Sequence, residues 1–302
     1  MSQLTVTGIR VDDTFAEAFG MRATALTITA HSVAWANQAA VTMTGFATSV
    51  IGCGCESGID RSLNPDETPD GRPGVRVLLF AVSTSELQKQ LQNRVGQCVL
   101  TSPGSACYAG LEADEELKLG NALRFFGDGW QVAKRLGDKR YWRIPVMDGE
   151  FICSATTGLS KTAVGGGNII VMGASAVTTL AATERAVEAI AAVPDVILPF
   201  PGGIARSGSK VGSKYKGVVA STNDAYCPTL KGSGRSALDS DIASVLEIVI
   251  DGLSSTAVSE AMRAGVRAIL MLGPERGALR IGAGNYGGKL GPHHYHLKDL
   301  LP

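Results

Sequence analysis

The stretch Val75–Val95, VRVLLFAVSTSELQKQLQNRV, decides the fold. Val75 to Val82 is an apolar run broken only by Arg76, the pattern of a buried strand. Ser83 then predicts a helix cap with Glu86 as its capping-box partner, and Leu87, Leu91 and Val95 recur at helical spacing as a buried face. The same pattern returns 171 residues later without a gap: Val77, Leu79, Leu87, Leu91 and Val95 fall on Ile248, Ile250, Val258, Met262 and Val266. Strand register and helical face agree at one offset, which predicts an internal duplication.

Periodicity around this stretch predicts two βαββαβ lobes, the ferredoxin-like α+β plan. In the first lobe Leu26 and Ile28 mark a strand and His31–Met43 a helix with Val33, Ala36, Ala40 and Met43 on one stripe. Phe46–Ile51 reads as a second strand and Gln97–Thr101 as the closing one, with a turn-rich passage over residues 64–74 between. The second lobe reads as strand Asn168–Met172, helix Thr183–Ala192, strand Val196–Phe200, strand Val245–Ile250, helix Ser255–Ala264 and strand Arg267–Leu272. Residues 102–165, with Arg124-Phe125-Phe126-Gly127-Asp128-Gly129-Trp130, read as an insertion, and residues from Ala278 onward as a tail. The expected domains are 1–145 and 146–302.

Composition narrows the function. The 302 residues carry 28 Lys plus Arg against 28 Asp plus Glu, so no bulk charge points to nucleic acid or an anionic membrane. No apolar run approaches the ~18 residues needed to span a bilayer, and Met1–Phe15 lacks a basic start and apolar signal core. A soluble, cytoplasmic protein is expected. Among the six cysteines only Cys53 and Cys55 are close, and no second pair completes a zinc site. His293, His294 and His296 crowd the tail without evident acidic partners, so no metal site is predicted.

The chemistry concentrates between Phe200 and Cys227, FPGGIARSGSKVGSKYKGVVASTNDAYC. Seven Gly or Ser residues lie from Gly202 to Ser213, threaded by Arg206, Lys210 and Lys214 and followed by Ser221-Thr222-Asn223-Asp224. Cationic, hydroxyl and amide groups at this spacing suit a polar, anionic small molecule. Two nucleotide motifs fail. Gly282-Ala283-Gly284-Asn285-Tyr286-Gly287 matches GxGxxG, but only fifteen residues follow where a helix, a strand and an acid are required. In Gly203–Gly208 Ser209 stands where a phosphate-binding loop needs its lysine.

Glu247 stands out as a carboxylate between Val245-Leu246 and Ile248-Val249-Ile250, inside an apparent central strand. An unpaired buried carboxylate costs several kcal/mol, so it is paired, protonated or facing a cavity. A structural ion pair, with Arg76 at the duplicated position as one partner, and an acid/base role both fit the residues alone.

Several segments together resemble one family, formylmethanofuran–tetrahydromethanopterin formyltransferase. They include Asp13–Phe19 (DTFAEAF), Glu67–Gly74 (ETPDGRPG), Arg94–Val99 (RVGQCV), Phe126–Gly129 (FGDG) and Phe200–Ile204 (FPGGI). Ser209–Lys214 (SKVGSK), Ala220–Pro228 (ASTNDAYCP) and Ala283–Gly291 (AGNYGGKLG) complete the set. The resemblance implies two ferredoxin-like lobes, a homotetramer of dimer-of-dimers type, and transfer of a formyl group between methanofuran and N5 of tetrahydromethanopterin without a tightly bound cofactor. It implies a catalytic glutamate at Glu247, whose carboxyl would carry a proton while a tetrahedral oxyanion forms. Gly202 and Gly203 are expected to offer N–H donors, and Lys210, Lys214 and Lys289 to meet carrier phosphates and carboxylates. Ser209, Asn223, Asp224, Tyr226, Asn285 and Tyr286 complete the expected substrate contacts. Gly52-Cys53-Gly54-Cys55-Glu56 is similar to the branch from methylotrophic bacteria, a subunit of a formyltransferase/hydrolase complex oxidising one-carbon units. A non-catalytic sensor built from tandem ferredoxin-like lobes is the alternative.

Overall fold

The computed structural model describes residues 3–302, so Met1 and Ser2, where the leader reading begins, lie outside the described residues. Two compact units emerge: residues 21–163, and residues 3–20 together with 164–302. These differ from contiguous halves at 145/146. The N-terminal segment joins the second unit because Phe15–Ala18 pairs with His293–His296 and Arg10–Val11 with Arg280–Ile281.

In the unit of residues 21–163, four strands are ordered Glu56–Leu63, Gly74–Ala81, the 21–29 part of Phe15–Thr29, then Ala106–Ala109. Helices Val33–Thr44 and Thr84–Arg94 follow the first and third strands in sequence. In the other unit the order is Val196–Ile197, Ser244–Gly252, the 164–173 part of Ser160–Gly173, then Arg280–Gly282. Helices Ala176–Ala191 and Ser255–Leu272 occupy the corresponding places. Both units therefore have the order second, third, first, fourth, which is the ferredoxin-like plan.

Side-chain caps repeat with the topology. Ser32, Ser83, Ser175 and Ser254 each cap a helix by accepting from the backbone N–H three residues on. Ser83 and Ser254 keep the 171-residue offset of the third strands, whereas Ser32 and Ser175 are 143 apart. The pairs Leu26–Val77 and Ile169–Ile248 occupy the same register in the two sheets. The extra 28 residues of the second unit thus lie between its first helix and third strand, where the Gly/Ser passage sits.

Three expected strands are corrected. Phe46–Ile51 holds no strand: Phe46 is 81% exposed and Ser49 caps a short helix, Val50–Cys53. The second strand begins after Gly54, at Glu56. Gln97–Thr101 is not a strand either, because the helix runs on as a π-helical turn, Val95–Val99, and keeps Leu91, Val95 and Val99 on its buried side. Arg267–Leu272 fails for the same reason, with Val266, Ile269 and Leu270 continuing the buried helical stripe. The true fourth strands, Ala106–Ala109 and Arg280–Gly282, lie in the expected insertion and tail. A run of aliphatic residues at a helix end fits either period locally, and packing against the sheet selects the helix. The strand expected over Val196–Phe200 is two residues long, and Phe200 instead opens a short turn.

Each unit has its own core. One centres on Leu26, Val77, Leu79, Leu87 and Phe151, the other on Ile169, Ile248, Ile250, Met262 and Ile281. Among the described residues no helix is long and apolar enough to cross a membrane.

Candidate active site

Glu247 occupies the middle of the Ser244–Gly252 strand. Its register partner is Ile170 on one side, and on the other its N–H and C=O exchange hydrogen bonds with Ala205 at 2.9 and 2.8 Å. Strand alternation sends Ile248 and Ile250 into the helix-covered core and Glu247 to the opposite face. There it lines a crevice with Ile170, Ala205, Arg206, Asn223 and Tyr226. The side chain keeps partial contact with solvent. Crowding by these neighbours nevertheless desolvates the carboxyl and pushes its pKa up to about 7. Among the described residues no cation pairs with it. Arg76, the candidate partner, meets Asp60 instead.

A second carboxylate of the same unit shows the reverse. Glu17, 1% exposed, sits between Ala16 and Ala18 on the strand that begins at Phe15. Burial alone would raise its pKa, but four backbone N–H groups converge on the carboxylate and hold it at about 2. Tyr286 and Gly288 donate to Oε2 at 2.6 and 2.8 Å, and Leu290 and Gly291 to Oε1 at 2.7 and 2.8 Å. Asn168 ties the start of this turn in both directions, accepting from Gly284 N at 2.6 Å and donating to Gly284 O at 3.1 Å. Gly291 must be glycine, since a Cβ there would stand 2.3 Å from the Ala18 carbonyl oxygen.

The expected contacts divide. Tyr286 leans on Phe19 with ring centroids 5.9 Å apart. Burial and then the charge of Glu247 raise its pKa, and Ser209 opposes them. Tyr226 is raised by burial first and by the Asp12 and Glu247 charges, against Arg280. Glu247, Tyr226 and Asn223 therefore line one crevice, whereas Tyr286 is exposed on its turn.

The remaining contacts do other work. Asn285 is spent on the turn: its Nδ2 donates to Thr14 Oγ1 and Phe15 O, and its Oδ1 accepts from Gly287 N. Lys210 is paired with Asp224, which Arg235 also approaches at 3.7 Å. The hydrogen bond from Lys210 holds the Asp224 carboxyl below its ordinary range. Lys214 lies exposed with its Nζ 5.3 Å from the Tyr215 ring centre, and Lys289 is exposed on the Glu17-bound turn. Gly202 is exposed in the Pro201–Gly203 turn. Gly203 packs against Leu198 and Val187 with φ +77°, and its N–H is committed to Phe200 O at 2.8 Å. Gly203 is therefore not the oxyanion donor expected of it. Among the described residues no three His, Cys, Asp or Glu side chains cluster closely enough to hold a metal ion.

Between its flanks the Gly/Ser passage braces itself. Lys210–Val211 and Ala220–Ser221 form a small antiparallel hairpin, Ser221 Oγ donates to Gly212 O, and Thr222 Oγ1 to Ser207 O. Three organising residues escaped the sequence reading. Glu17 and Asn168 hold the turn that carries Tyr286, and Arg280 forms a buried bidentate pair with Asp12 at 2.8 and 3.0 Å. Glu17 carried a usable signal, a carboxylate inside an apolar strand.

Comparison with known proteins identifies the family. The family model for formylmethanofuran-tetrahydromethanopterin formyltransferase matches residues 4–146, and that for its proximal lobe matches residues 149–300. The chain is 60% identical over 298 residues to the formylmethanofuran–tetrahydromethanopterin formyltransferase of Methylococcus capsulatus, covering 99% of this chain and 100% of that one. It superposes with a TM-score of 0.98 and 58% identity on a chain of the formyltransferase/hydrolase complex from Methylorubrum extorquens, solved with methylofuran, covering 100% and 99% of the two chains. The formyltransferase of Methanosarcina barkeri superposes at a TM-score of 0.92 with 41% identity, covering 98% and 100%. The chain belongs to the formylmethanofuran–tetrahydromethanopterin formyltransferase family.

Proposed function

We propose that this protein moves a formyl group reversibly between the amine of a methanofuran-type carrier and N5 of tetrahydromethanopterin, with Glu247 as the proton carrier. The nitrogen lone pair of the acceptor attacks the formyl carbon, and the carbonyl electrons move onto oxygen. Glu247 takes the proton of the attacking nitrogen and returns it to the leaving nitrogen as the second C–N bond breaks. The observation that carries this reading is the Glu247 carboxyl with its pKa near 7, fixed on a strand hydrogen-bonded on both sides. Such a group gives and takes a proton with equal ease at neutral pH.

Lys210, Lys214 and Lys289 supply positive charge for the carriers' phosphate and carboxylate groups, and Asn223, Asp224 and Tyr226 border the pterin. Both reactants arrive as substrates, so no tightly bound cofactor enters the scheme. The protein works in the cytoplasm in one-carbon oxidation, as a homotetramer or as a subunit of a formyltransferase/hydrolase complex like that of Methylorubrum extorquens.

Incubating the purified protein with both carriers and following formyl transfer by mass spectrometry tests the reading. Transfer that collapses in Glu247→Gln is expected. Tight binding of one carrier without any transfer would restore the sensor alternative.

A further inference from the structure

A tetrahedral oxyanion is held best by donors already in place as its charge develops. The loop residues lining the Glu247 crevice spend their backbone N–H groups unequally. Ala205 N donates to Glu247 O, Tyr226 N to Asn223 O and Cys227 N to Asp224 O. The N–H groups of Arg206, Ser207, Gly208 and Asn223 donate to no acceptor among the described residues. That of Arg206 points away from the Glu247 strand, because the Ala205 C=O of the same planar peptide accepts from Glu247 N. Ser207 and Gly208 are consecutive. The chain bends at Arg206 and Ser207 and then turns left-handed at Gly208, with φ +55°. Successive N–H groups in such a turn form an anion-binding concavity. The strip is fixed on both sides: Ala205 exchanges two hydrogen bonds with Glu247, Ser207 O accepts from Thr222 Oγ1 at 3.2 Å, and Lys210 enters the hairpin. The donor-bearing side chains of the crevice, Arg206, Ser207, Asn223 and Tyr226, make no hydrogen bond among the described residues, so nothing fixes them for the reaction.

We infer that the backbone N–H groups of Ser207 and Gly208 are the oxyanion-binding donors of the site, hydrogen-bonding the formyl oxygen while Glu247 carries the proton. The inference rests on the formyl-transfer reading above. As the acceptor nitrogen attacks the formyl carbon, a C–N bond forms and the carbonyl π electrons move onto oxygen, where both N–H groups meet them. The electrons then return and the C–N bond to the donor carrier breaks. Glu247 delivers to the leaving nitrogen the proton it took from the attacking one, and both amides keep their own protons throughout. Glycine suits position 208, because other residues adopt its positive φ only with strain.

Incorporating the α-hydroxy acid counterpart of Ser207 or of Gly208 replaces one N–H by an ester oxygen and tests each donor separately. Neither N–H bonds to another described residue, so both ester chains should fold. Each should lose ~10²–10³-fold in kcat, with KM changed only a few-fold and the pH dependence set by Glu247 unmoved. If an ester chain does not fold, Gly208→Ala disturbs the same turn through its positive φ. It should lower kcat at least ~10-fold at similar KM, and unchanged kcat there overturns the inference. Unchanged kcat in a folded ester chain overturns the role of that donor. A loss confined to KM overturns the oxyanion role, as does a large kcat loss in Asn223→Ala beside two unaffected ester chains. A wild type that transfers no formyl group overturns the parent reading and this one with it, and is recognised before any variant is measured.

Discussion

Glu17 and Glu247, two carboxylates on strands of one unit, are held at opposite ends of the carboxylate range, about 2 and about 7. The difference is made by donors. Glu17 receives four backbone N–H groups, whereas Glu247 is desolvated in a crevice lined by Ile170, Ala205, Arg206, Asn223 and Tyr226. Paired titratable groups driven apart in this way are how a site separates a scaffold charge from a working one.

Glu247→Gln should cut turnover by ~10² or more while the fold persists, since glutamine fits the crevice and cannot carry the proton. In the wild type kcat/KM should fall as pH drops below about 7, because the carboxyl must be ionised to accept the amine proton. A folded glutamine variant with normal turnover and the same pH profile would reduce Glu247 to a structural residue.

Stability should move with the same group. The folded pKa of Glu247 lies above its ordinary value of 4.5, so the native state holds the proton more tightly than the unfolded chain. Stability is thus lost as pH rises from 4.5 through about 7, by up to ~3 kcal/mol, and is level above that window. Urea unfolding at pH 5 and pH 8 should show this loss in the wild type and a smaller one in Glu247→Gln.

Glu17 predicts the opposite slope at acid pH. Its folded pKa is depressed from 4.5 to about 2, so its contribution is present above 4.5 and disappears as pH falls toward 2. Hydrogen exchange at the amides of Tyr286, Gly288, Leu290 and Gly291 should accelerate over that window relative to amides of the core strands. Equal protection of these amides at pH 5 and pH 2.5, after correction for intrinsic exchange, would show that the carboxylate does not hold the turn.

Lys210→Ala should weaken carrier binding with little change in the chemical step. The lysine is half-exposed on the hairpin and paired with Asp224, and its removal leaves that carboxylate facing an anionic ligand. A KM increase of ~10-fold with kcat within a factor of about two is expected from steady-state kinetics. A fall in kcat at constant KM would place Lys210 in the chemistry instead.

Local pattern alone determined much of this protein. The apolar run and helical stripe of Val75–Val95 and their return 171 residues on specify two lobes of one plan, because strand and helix periods depend only on which neighbours share a face. Glu247 was legible for the same reason: a charge between Leu246 and Ile248 breaks a pattern that burial otherwise enforces. Where helices end was not legible. Val95–Val99 and Arg267–Leu272 satisfy either period, and only packing on the sheet made them helical. Nor was the division between scaffold and reactive groups. Glu17 and Glu247 present the same signal in the chain, and Gly203 reads as a donor whether or not the fold has already used its N–H. Tertiary structure brought the 284–291 turn onto Glu17, left Glu247 desolvated in its crevice, and spent the Gly203 N–H on Phe200. A carboxylate's proton affinity is set by the donors and solvent that reach it, and those arrive from residues hundreds of positions away in the chain.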